Sequence, residues 1–67
     1  GLAGIAYWIN QAYGLEGDKA LDKRDPLVIA MKDWIDREYE DGRQTVMTDK
    51  ELDEKLHELA PELYSKD

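Results

Sequence analysis

The sequence predicts an all-α fold, a small bundle of three or four helices. Three observations carry that prediction. Apolar residues recur at three- and four-residue steps in three separate segments, the period of an amphipathic helix. Residues that start and stop helices stand at the edges of those segments. The β-branched stretch RQTVM, residues 43–47, has no partner strand in a chain of 67 residues.

The first helix is expected at residues 2–13. Leu2, Ile5, Ala6, Ile9, Ala12 and Tyr13 form its apolar stripe, and Gly14 follows as the stop. Trp8 lies at the margin of the stripe. Tyr7 falls on the opposite face with Asn10 and Gln11 near it, and Ala3 and Gly4 give that face a small, smooth start. Residues 15–24 read as a connecting loop because Gly17 and mixed charges interrupt the pattern, with Leu15 and Leu21 able to pin it to the core.

Asp25-Pro26 opens the second helix, expected at 26–40. Aspartate is a favoured N-cap, and proline at the first helical position lacks only an amide that would go unpaired anyway. Its stripe is Leu27, Val28, Met31, Trp34, Ile35 and Tyr39, with Ile29 facing away and Gly42 as terminator. Residues 43–47 form an extended connection from which Val46 or Met47 dips into the core. Thr48-Asp49-Lys50-Glu51 has the pattern of a capping box and starts a third helix at 49–59, with Leu52, Leu56 and Leu59 on one face. Pro61 breaks or restarts it, and Leu63 and Tyr64 add a short final turn over 61–65. The expected core is Ile5, Ile9, Leu27, Met31, Ile35, Leu52 and Leu56.

Size and charge bound the function. The 67 residues make a single domain at most, and a chain this short buries only about 60% of its unfolded surface. It has no cysteine and one histidine, His57, so neither a disulfide nor a His-rich zinc site is available. The remaining source of stability is burial against more protein. The formal net charge of −7 disfavours nucleic acid and anionic membrane surfaces as partners. Eleven acidic and five basic residues fall in 36–67, whereas residues 1–15 carry no charge at all. The acidic end is expected to face water and the neutral end another protein surface. The opening run is too short and too interrupted by Asn10 and Gln11 to span a membrane, and it lacks the basic start of a signal peptide. A start at Gly1 without methionine points to a processed, cleaved or fragment chain, and the expected location is cytoplasmic.

No catalytic constellation is evident. His57 sits off the leucine stripe and reads as a solvated helix residue. The run Asp33, Asp36, Glu38, Glu40, Asp41 lacks the spacing of a calcium loop. No Gly-rich phosphate loop or nucleophile elbow occurs. The candidate site is an interface formed by Ala3, Gly4, Tyr7 and Trp8, since aromatic side chains anchor protein contacts.

Taken together, these motifs resemble a known family. "GLAGIAYWINQAYGL" is similar to the first helix of the helical subdomain that follows the catalytic barrel in 2-isopropylmalate synthases, homocitrate synthases and Re-type citrate synthases. The matching residues are Ala3-Gly4-Ile5-Ala6-Tyr7 and the closing Gly14-Leu15, followed by the Pro26–Glu40 helix and the capped Thr48-Asp49-Lys50-Glu51-Leu52 segment. The resemblance implies a fragment of a larger TIM-barrel enzyme of amino-acid biosynthesis. Such an enzyme condenses an acyl-CoA with a 2-oxo acid in a Claisen-type reaction, with a divalent metal in the barrel. Metal ligands and catalytic base lie in barrel segments outside this chain, so the chain itself carries no catalytic, metal or cofactor residue. The implied partners are the parent's barrel and a second subunit of a dimer. The alternative is a stand-alone acidic helical protein-interaction module binding a partner helix in a groove.

Overall fold

The computed structural model describes residues 1–63, and those residues are all-α. Helix α1 spans Leu2–Tyr13, α2 spans Pro26–Glu40 and α3 spans Asp49–Leu59. Two single 3₁₀ turns occupy Gly17–Lys19 and Pro61–Leu63. Tyr64 of the expected final turn lies outside the described residues.

The three helices are held at their ends in different ways. α1 has neither a side-chain cap at Gly1 nor a charge in its first or last turn. A helix of 12 residues is marginal alone, so α1 depends on burial of its apolar face. It stops where Gly14 turns left-handed at φ 63° and the Leu15 amide donates back to the Asn10 carbonyl. The Asp25 carboxylate caps α2 by accepting from the Leu27 amide at 2.9 Å. Gly42, at φ 107°, ends α2, with the Arg43 amide reaching back to the Glu38 carbonyl. At α3 the reciprocal capping box is complete. The Thr48 hydroxyl accepts from the Glu51 amide, and the Glu51 carboxylate accepts from the Thr48 amide.

α2 packs against both α1 and α3. The buried hydrophobic residues are Ala6 and Ile9 from α1, Val28 and Met31 from α2, and Leu56 and Ala60 from the α3 end. Leu2, Ile5, Trp8, Tyr13, Leu15, Leu21, Leu27 and Leu52 close around this centre. The smallest extent of the molecule is 16 Å, little more than one helix with its side chains. So thin a body leaves much of each helix at the surface.

That thinness explains where the side chains depart from the expected core. Ile5, Leu27 and Leu52 rim the core rather than fill it, and Ile35 is only half-buried. Ala6 and Val28, absent from the expected core, are buried with Ile9, Met31 and Leu56. Ala12 is exposed despite its place in the spacing. Leu59 is 39% exposed, because the chain leaves the helix at Ala60 and turns that residue inward instead. Val46 is 78% exposed, and Met47 is the half-buried member of the pair. The segment 15–24 is more ordered than a plain loop, since a 3₁₀ turn begins at Gly17.

Candidate interface on the first helix

With Leu2, Ala6, Ile9 and Tyr13 turned to the core side, helical geometry leaves Ala3, Gly4, Tyr7 and Gln11 on the outer face of α1. All four are exposed, and the Tyr7 ring stands 67% clear of the protein. Nothing lies within 4 Å of the place a Gly4 side chain would occupy. Trp8 takes a different position: it is half-buried and packs against the core. Of the four sequence candidates, then, Ala3, Gly4 and Tyr7 share one face, and Trp8 sits at its edge.

Beside Tyr7 runs a shallow, open hollow of about 330 Å³ between α1 and the following loop. Ala3, Tyr7 and Asn10 form one wall and Leu21, Asp22 and Lys23 the other. Asn10 builds that wall. Its amide nitrogen donates to the Leu21 carbonyl at 3.0 Å, and its amide oxygen accepts from the Leu21 amide at 2.9 Å. The side chain thus pairs with backbone as a neighbouring strand would, and Leu21 is fixed against the core. Helical spacing puts Asn10 beside Tyr7, but a bond to a residue eleven positions away leaves no local signal in the sequence.

The other organised polar group sits at the α2–α3 connection and also escaped sequence reasoning. All five N–H hydrogens of Arg43 find acceptors. Nη1 and Nη2 grip the two oxygens of Glu51 at 2.8 and 2.6 Å, and Nη1 also reaches Glu38 at 3.4 Å. Nε donates to the Thr45 carbonyl and Nη2 to the Val46 carbonyl. Tyr39 adds a hydroxyl bond to Thr45. The Arg43 guanidinium and then the Thr48 amide pull the Glu51 carboxyl down to a pKa of about 2. With every Arg43 donor engaged by the protein, this is a clasp joining two helices.

The Tyr13 hydroxyl donates to the Asp53 carboxylate, tying α1 to α3. His57 is exposed on the same turn of α3, its Nδ1 3.0 Å from the Asp53 carbonyl. Among the described residues no group of three or more His, Asp or Glu is placed to hold a metal ion. No helix among them is long and apolar enough to cross a membrane.

These features define a class: a small all-helical unit that exposes an uncharged face of its first helix. Comparison with known proteins narrows it. The whole chain aligns with part of a Citrate (Re)-synthase from Syntrophus aciditrophicus, 48% identical over 67 residues, or 11% of that protein's length. A Citrate (Re)-synthase from Clostridium kluyveri is 35% identical over 66 residues, 98% of this chain and 15% of that protein. The chain is therefore similar, end to end, to one short segment of citrate synthase-like transferases several times its length. No family model and no solved structure matches it.

Proposed function

We propose that the chain is an accessory helical domain of an acyl-CoA:2-oxo acid C-acyltransferase, and that it positions the catalytic body without reacting itself. The observation that carries this reading is the end-to-end similarity to two Re-citrate synthases of which it spans only 11% and 15%. Those relatives favour the citrate-forming branch among the three that the sequence motifs resemble. They also weigh against a stand-alone acidic interaction module.

The exposed, uncharged face of α1 supports the same reading. Burying a charged or unpaired polar group at a protein contact costs about 1–3 kcal/mol per group, and Ala3, Gly4 and Tyr7 present almost none. In the intact enzyme this helix packs on the barrel or on a second subunit and helps complete a dimer. The divalent metal implied by the resemblance belongs to the barrel, and no step of the condensation is assigned to residues of this chain.

The test is an assay of the purified parent protein with acetyl-CoA and oxaloacetate, following thiol release and citrate. Citrate formation that falls when residues 1–67 are deleted is the expected result. A parent that folds, oligomerises and yet forms no citrate or related condensation product sinks the proposal.

A further inference from the structure

The three helices are not bound into the fold equally. In the central cluster α1 and α2 supply Ala6, Ile9, Val28 and Met31, whereas α3 supplies Leu56, with Ala60 buried just past its end. Apart from its three leucines every residue of α3 is ionisable, and one of those leucines, Leu59, is 39% exposed. Polar ties supply much of its remaining attachment. Arg43 grips Glu51 in the first turn, the Tyr13 hydroxyl donates to Asp53, and the Lys55 ammonium lies 5.4 Å from the centre of the Trp34 ring. Ties of this kind beside water are individually weak. A segment with few buried apolar contacts is the part of a structure that opens first.

We propose that α3 is a hinged flap, which opens about residues 42–48 while α1 and α2 stay packed, and that the Tyr13 hydroxyl is its latch. A hinge is at hand, because residues 43–48 form neither helix nor strand and Gly42 before them is at φ 107°. Arg43 steadies the hinge end, since its partner Glu51 lies in the first turn of α3. Tyr13 belongs to α1 and Asp53 lies farther along α3, so their bond must break before α3 can swing away. Opening also takes Leu56 out of its cluster with Ile9, Val28 and Met31. A helix of 11 residues is marginal alone, so an opened α3 unwinds and its amides exchange with water. This device is a property of the fold and does not depend on which reaction the parent performs.

The experiment is amide hydrogen exchange on the full-length parent, wild type and Tyr13→Phe, resolved helix by helix over a series of low urea concentrations. Tyr13→Phe removes the hydroxyl and keeps the ring. In the wild type, α3 is expected to exchange faster than α1 and α2. Its exchange should also respond less to urea, because a local opening exposes less surface than global unfolding. In Tyr13→Phe, exchange of α3 should rise about tenfold, the worth of a hydrogen bond to a charged group, while α2 is unchanged. One common rate and one common urea response in all three helices overturn the proposal, since α3 then opens only with the whole fold. Slower exchange in α3 than in α1 and α2 overturns it as well. Tyr13→Phe exchange that is unaltered in α3, or raised equally in α2, removes Tyr13 as the latch. If Tyr13→Phe does not fold, the wild-type urea series alone decides whether α3 opens by itself.

Discussion

Leu56 has no exposed surface and sits where all three helices meet. Leu56→Ala is expected to lower stability by about 2–5 kcal/mol, much of the total available to a domain this size, as measured by denaturant unfolding. An unchanged midpoint would show that α3 does not pack as described. Tyr7 is the opposite case. With its ring exposed, Tyr7→Ala should leave the unfolding midpoint of the chain within about 0.5 kcal/mol of wild type. The same change in the parent should weaken association with the catalytic body or second subunit. At Glu51 the folded pKa of about 2 lies below the ordinary 4.5, so its ionised form stabilises the fold above pH 4.5. That contribution is lost as pH falls from 4.5 towards 2. Glu51→Gln should therefore be less stable than wild type at neutral pH, with the gap closing on acidification. A gap that stays constant with pH would rule out the Arg43 clasp as its source.

Helix ends were legible at the level of elements because end chemistry is local. Asp25-Pro26 and the Thr48–Glu51 box sit where α2 and α3 begin, and Gly14 and Gly42 sit where α1 and α2 end. Removing the hydroxyl in Thr48→Ala should cost about 1 kcal/mol and fray the first turn of α3, visible as faster exchange there. The connections were less legible. The 15–24 segment is held by the Asn10 pairing with Leu21, and 43–47 by the five bonds of Arg43. The Asn10 bonds span eleven residues, and the Arg43 bonds to Glu38 and Glu51 reach two different helices, so neither asparagine nor arginine announces its partner. Periodicity likewise placed Leu59 with Leu56, but the chain leaves α3 one residue later and spends the buried site on Ala60.

For the whole molecule, composition and spacing determined that the chain is helical, acidic and divided into a neutral opening helix and a charged remainder. Those properties follow from which residues are present and how far apart they stand along one strand of chain. The motifs also resemble the 2-isopropylmalate, homocitrate and Re-type citrate synthases, and the end-to-end similarity to two Citrate (Re)-synthases agrees at the level of that family. The tertiary structure alone decided which apolar residues form the centre and which only rim it. In a body 16 Å thick few side chains are fully enclosed, and these include Ile9, Val28, Met31 and Leu56. It also decided that Trp8 belongs to the core edge while Ala3, Gly4 and Tyr7 share an open face. Burial is a property of the assembled surface, and a repeat of three and four residues states which side chains share a face without stating what that face meets.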